Sequence, residues 1–243
     1  VLFRSRAYLA EAISTFALVF FGPLSVILAA SVFGEGLTIE SIIMISLGHG
    51  AAIAFMVYAF GHVSGAHINP AVTIPMMITK KIGVVDGIGY IIFQIIGAIV
   101  ATGTLVLLFP EIGKDVFWGA HGGPSALLGG SMMSALLVEI ILTFFLVTVI
   151  FMTVVHKKAP KSVYGAVIGG MIFLLHLVGV PLTGASMNPA RSLSPTLFSG
   201  DTGLWEVQWL YWVGPIVGGV IAALIMHYVY TKPAEKEEIG RAS

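Results

Sequence analysis

Apolar residues run in six long stretches, at roughly 7 to 32, 41 to 61, 85 to 109, 131 to 155, 162 to 181 and 207 to 230, each bounded by charges or by links rich in Gly and Pro. A bilayer core about 30 Å thick needs about 20 mostly apolar residues per helix. The pattern therefore predicts six transmembrane helices and an all-α membrane protein. Two shorter apolar stretches follow Asn69 and Asn188 and last about ten residues before polar residues return. At about 1.5 Å per residue each covers roughly 15 Å, half a membrane. Such segments read as re-entrant half-helices, tolerated at membrane depth only where their irregular leads are buried or line a water-filled cavity.

The two halves echo each other. Glu11-Ala12-Ile13-Ser14-Thr15-Phe16 in the first stretch is matched by Glu139-Ile140-Ile141-Leu142-Thr143-Phe144 in the fourth, and Asn69-Pro70-Ala71 recurs as Asn188-Pro189-Ala190. Three spans and one half-helix, repeated, give an odd number of crossings per repeat. The second copy must then enter from the opposite side, an inverted repeat whose half-helices meet near the midplane. The expected organisation is one domain over 1–231, with inverted repeats at about 7–109 and 131–230, and a polar cytoplasmic tail over 232–243. Gly83 with Gly87, Gly165 with Gly169, and Gly214 with Gly218 have the spacing of close helix packing.

Composition agrees with this reading: 57% of the 243 residues are hydrophobic and 10% charged, against roughly a quarter charged in a soluble domain. The formal net charge is zero and there is no basic block, which excludes nucleic acid as a partner. Without cysteine, disulfides and thiolate metal sites are excluded, and nothing calls for a metal or cofactor. The first apolar stretch lacks a small-residue cleavage pattern and reads as a retained span, not a signal peptide. Lys and Arg favour cytoplasmic loops. With both termini inside, Arg4, Arg6, Lys80, Lys81, Lys157, Lys158, Lys161, Lys232, Lys236 and Arg241 are cytoplasmic, and only Lys114 and Arg191 fall on the other side. The loop acids, Glu35 among them, also lie outside, and Trp118, Trp205, Trp209 and Trp212 are expected at that interface as an aromatic belt.

The chemistry concentrates in the two Asn-Pro-Ala stretches. Asn caps a helix start, and Pro at the first helical position loses nothing because its missing N–H would be unpaired there. Placed tip to tip, two half-helices direct two positive dipole ends, each about half a charge, at one point. A cation there is repelled by both. The Asn69 and Asn188 amides can donate to a passing oxygen, and the leads Gly65-Ala66-His67 and Gly184-Ala185-Ser186 would present backbone carbonyls as a ladder of acceptors. Arg191 is a charge at membrane depth, a functional residue by default; the bland alternative is an ion pair with an acid near the outer face. Glu11 and Glu139 are costly at such depth unless hydrogen-bonded. They are expected to accept bonds from the leads' N–H groups and hold them in place. His62 and His67 are expected to brace the first lead.

Gly61-His62-Val63-Ser64-Gly65-Ala66-His67-Ile68-Asn69-Pro70-Ala71-Val72-Thr73, together with Asn188-Pro189-Ala190-Arg191-Ser192, resembles the aquaporin (major intrinsic protein) family. The resemblance covers about 7 to 231. It implies a right-handed bundle of six helices plus two half-helices, a channel rather than an enzyme, and a homotetramer with one pore per subunit in the lipid bilayer. Ser192 after the second motif's Arg, with Tyr211-Trp212, looks like the water-selective branch. The family's narrow filter falls on four positions here: His49, twenty before Asn69; His176, twelve before Asn188; Ala185, three before Asn188; and Arg191. His176 and Arg191 look like a water channel, whereas His49 resembles tonoplast intrinsic proteins, where strict water channels carry Phe. The small Ala185 leaves room. Water is the expected substrate, with ammonia, hydrogen peroxide, urea or glycerol as the broader alternative. His121 is expected to fold over the outer mouth toward Arg191. An intramembrane enzyme is disfavoured: no His-Glu-x-x-His, paired Asp or Gly-x-Ser-x-Gly occurs. A pore-closed structural protein is the remaining rival.

Overall fold

The computed structural model describes residues 2–34 and 36–234, without the side chains of Leu2, Phe3 and Lys161. Glu35, Lys236, Arg241 and the rest of the expected tail from 235 onward lie outside the described residues. Six helices among those described are long and apolar enough to cross a membrane. In chain order the elements are α1 (Leu2–Phe33), α2 (Ile39–Ser64), α3 (Pro70–Ile78), α4 (Val84–Leu108), the short α5 (Ile112–Asp115), α6 (Met132–Ile150), α7 (Tyr164–Thr183), α8 (Pro189–Ser199), the short α9 (Thr202–Val207) and α10 (Leu210–Met226). The half-helices are α3, of 9 residues, and α8, of 11.

Packing follows the inverted repeat. α1 packs on α2 and α4, as α6 packs on α7 and α10; α2 crosses α7. Each half-helix packs against the last span of the other repeat, α3 on α10 and α8 on α4, and the two touch each other. The halves are therefore interlocked, not merely adjacent. The crossings are close because they run over glycine: a Cβ at Gly97 would collide with the Ala12 carbonyl, and one at Gly218 with the Ile140 carbonyl at the equivalent place. Backbone approach of this kind gives helices their van der Waals contact in lipid, where burial from water supplies no force between them.

The distribution of side chains is that of a protein solvated by hydrocarbon. Phe55 and Leu107 are 68% and 83% exposed on the outer face, while Glu11, Gln94 and Glu139 are fully buried. Lipid accepts the former, and only an internal network can accept the latter.

Two expectations are corrected. Gly83 is the N-cap of α4, outside the span, so only Gly87 of that pair makes a close contact, against Met77. Trp118 is not part of an aromatic belt: it is 6% exposed, and its indole N–H donates to the Phe109 carbonyl at 3.1 Å. Trp205 and Trp209, each 45% exposed, do face outward.

Candidate functional site

The two leads share one backbone conformation. Gly65, Ala66 and Ile68 have φ of 86°, 47° and 60°, and Gly184, Ala185 and Met187 have φ of 84°, 56° and 53°. Left-handed backbone at a residue with a side chain costs about 1–3 kcal/mol, and each lead holds two such residues. The buried glutamates supply the compensation. Glu11 accepts from His67 N at 2.9 Å, Ile68 N at 2.7 Å, the Ser64 hydroxyl at 2.7 Å and Gln94 Nε2 at 2.8 Å. Glu139 accepts from Ser186 N at 3.0 Å, Met187 N at 2.9 Å and the Thr183 hydroxyl at 2.7 Å. His67 lies beside this network, with Nδ1 3.1 Å from Thr73 Oγ1. His62 borders a recess beside the start of this lead, with Gly61, Gly65, Thr153 and Tyr164.

The half-helices begin where the Asn-Pro pairs foretell. Asn69 Oδ1 accepts from Ala71 N at 2.7 Å, and Asn188 Oδ1 from Ala190 N at 3.1 Å and Arg191 N at 3.3 Å, with Pro70 and Pro189 in the first helical position. The amide groups cross between the repeats: Asn69 Nδ2 donates to the Met187 carbonyl at 2.7 Å and Asn188 Nδ2 to the Ile68 carbonyl at 3.0 Å. Each amide nitrogen has two hydrogens, so one remains for the cavity that both asparagines line. Gly65, Ala66, His67, Ser186 and Met187 also line it. Gly184 and Ala185 do not. The Ala185 methyl is fully buried, facing α7 at Gly179, so this position adds no side-chain bulk to the opening.

Arg191 is 3% exposed, and among the described residues no carboxylate lies within ion-pairing distance of it. Its donors go elsewhere. Nε and Nη2 lie 3.3 and 3.2 Å from His49 Nε2, and Nη1 donates to the Gly119 carbonyl at 2.5 Å. His49 Nδ1 is 2.8 Å from the Ile45 carbonyl, which makes Nδ1 the protonated nitrogen and leaves Nε2 as acceptor. His176 repeats this on α7, its Nδ1 2.8 Å from the Ile172 carbonyl. The two rings stack at 4.3 Å. His176 Nε2 is buried without a protein partner, and the residue lines the cavity.

His121 lies over the Gly184 backbone, 2% exposed, with Nδ1 3.4 Å from Arg191 Nη1. Burial first, and the neighbouring guanidinium second, hold its imidazole well below the ordinary histidine range. Tyr211 ties this loop down, donating to the Thr183 carbonyl and accepting from Gly123 N, both at 2.8 Å. Ser192 is hydrogen-bonded to Ser186 and so braces the second lead.

Gly119 is the contributor that sequence reasoning missed. It follows Phe117 and Trp118, both also left-handed, at φ of 46° and 47°. A carbonyl ligand has no side-chain signature, and the glycine-rich run Gly119-Ala120-His121-Gly122-Gly123 was the only available signal.

Comparison with known proteins matches this architecture. The major intrinsic protein family model covers residues 2–226. Aquaporin-4 of Rattus norvegicus is 43% identical over 83% of the chain, which spans 62% of that relative's length. Aquaporin Z of Bradyrhizobium diazoefficiens is 36% identical over 94% of this chain and 95% of its own. The X-ray structure of the aquaglyceroporin from Plasmodium falciparum superposes with a TM-score of 0.82 at 25% identity, covering 96% of this chain and 99% of that one. With paired Asn-Pro-Ala half-helices meeting inside six membrane-crossing helices, the chain belongs to the major intrinsic protein (aquaporin) family and is a multi-pass membrane protein.

Proposed function

We propose that the chain conducts water in single file and excludes protons and ions. The observation that carries this is the crossed pair of asparagine amides at the abutting N-termini of α3 and α8. One free N–H from each points a donor at a passing oxygen, so a water at that level donates away from both. A proton cannot then hop along the file, and the two helix ends repel a cation. Arg191 adds a full charge at the filter formed with His49 and His176. Stopped-flow shrinkage of proteoliposomes carrying a pH dye tests this: fast water flux without proton entry is expected, and no flux supports the pore-closed rival. We infer further that the chain forms a homotetramer with both termini cytoplasmic. Membership of the family supports the first, and the basic Lys80-Lys81 and Lys157-Lys158 turns support the second.

A second reading, a broader neutral-solute pore for ammonia, hydrogen peroxide, urea or glycerol, is favoured by one feature. Arg191 is drawn against the wall by His49 and Gly119, and Ala185 contributes no side chain to the opening. His49→Phe would remove the acceptor for Arg191 and add ring bulk. Urea and glycerol flux is expected to fall about tenfold, about 1.4 kcal/mol of barrier, with water flux falling less. Identical fluxes for every solute would remove His49 from the filter.

The geometry also sets the pH response. His121, over the outer mouth, is held well below its ordinary range. It gains no charge between pH 8 and 6, and water flux is expected to stay flat across that window. Because the folded pKa of His121 is lowered, the unfolded chain takes up the proton first as pH falls below about 6.5. Stability is therefore lost on the acid side. A steep flux change between pH 8 and 7 would contradict this.

A further inference from the structure

The anchors of Arg191 both rest on one dipeptide of α1, a helix that supplies none of the four filter positions. Gly22 and Pro23 are buried and border no part of the cavity. A Cβ built on Gly22 would lie 2.5 Å from His49 Nε2, 2.6 Å from Cδ2 and 3.0 Å from Cε1, well inside van der Waals separation. The edge of the imidazole that takes Arg191 therefore occupies the space that a methyl would fill. Pro23 meets the other anchor: a Cβ on Gly119 would lie 3.1 Å from Pro23 Cβ, so the turn presenting the Gly119 carbonyl sits on the proline ring. The helices cannot easily part to admit more atoms. Gly48, beside His49, is pressed onto α1 in return, since a Cβ there would lie 2.6 Å from Ser25 Oγ.

We propose that Gly22, with Pro23 beside it, is a specificity-determining position acting from outside the pore: it seats His49 and the Gly119 turn so that together they hold Arg191 against the wall. This rests on the reading of His49 and Arg191 as filter residues. The direction of the effect follows from the constraints on the ring. His49 Nδ1 is tied to the Ile45 carbonyl and one face stacks on His176. A methyl at position 22 leaves the ring free to move only toward the cavity, away from its place under Arg191. The opening narrows, and the bond from Arg191 Nε is lost. The larger solute suffers more than water.

The test is a double-mutant cycle in proteoliposomes, reading urea and water permeability by stopped flow, with size exclusion and melting temperature confirming folded protein. Gly22→Ala is expected to lower urea flux about tenfold and water flux about threefold. In a His49→Ala background, where the ring is absent, the same change is expected to alter neither by more than about 1.5-fold. Equal losses in both backgrounds would reduce Gly22 to helix packing and overturn the proposal. So would an unchanged Gly22→Ala when His49→Ala alone shifts the urea-to-water ratio, which leaves the filter reading standing. If His49→Ala shifts no ratio, the filter reading falls and takes this proposal with it. Should Gly22→Ala not fold, Pro23→Ala, which removes the seat of the Gly119 turn without adding atoms, decides by the same ratio: a change supports the seat and an unchanged ratio overturns it.

Discussion

Glu11→Ala is expected to abolish water flux and the folded channel together. The carboxylate takes four donors, two of them backbone N–H groups of a lead with Ala66 and Ile68 in left-handed conformation. Alanine would leave these donors buried without partners, at about 1–3 kcal/mol each. The sum is comparable with the whole stability of a domain, about 5–15 kcal/mol. Glu11→Gln keeps the shape but sets an NH₂ group against N–H donors, and should fall between the two. Glu139→Ala should be damaging but less so, because Glu139 takes three donors. The measurement is yield of monodisperse protein on size exclusion, then stopped-flow water permeability; a folded Glu11→Ala channel with unaltered flux would refute the role.

Arg191→Val is expected to turn the filter from a narrow charged ring into a wider neutral one. A unit charge about 4 Å from a passing cation at an effective dielectric near 20 contributes about 4 kcal/mol, so proton and cation leak should rise measurably. It should not become free flow, because the helix ends at Asn69 and Asn188 remain. Loss of the guanidinium also removes bulk, and urea and glycerol flux should increase about tenfold or more. The variant leaves the Gly119 carbonyl and His49 Nε2 without the donor they now have, so its melting temperature should drop. Proteoliposome flux of glycerol, and acidification followed by an internal dye, read both effects; a valine variant as tight to glycerol as the parent would argue against Arg191 as the constriction.

Much of the frame was legible in the chain. The apolar runs placed the spans to within a few residues of α1, α2, α4, α6 and α7, and Asn69-Pro70 and Asn188-Pro189 marked the starts of α3 and α8. The ends were less legible. The stretch expected to end at 155 changes from α to π winding at Phe151–Val155, and α10 does likewise at His227–Thr231. A change in turn width leaves the hydropathy of a lipid-facing segment unaltered. Trp118 was misplaced because indole favours an interface on average, whereas this one spends its N–H on the Phe109 carbonyl inside a turn.

What the sequence by itself determined was what bilayer physics imposes on any chain: six apolar lengths that must span, two that cannot, and buried carboxylates and a guanidinium that must find partners there. Repetition of Glu and Asn-Pro-Ala then required the second half to invert. Tertiary structure alone decided which partners those charges took. Arg191 is held by an imidazole from α2 and a loop carbonyl, the leads are stitched by Asn69 and Asn188 across the repeats, and Gly22 yields its place to His49. Each of these joins residues far apart in the chain through a carbonyl or an empty space, and neither has a side chain for a sequence to display.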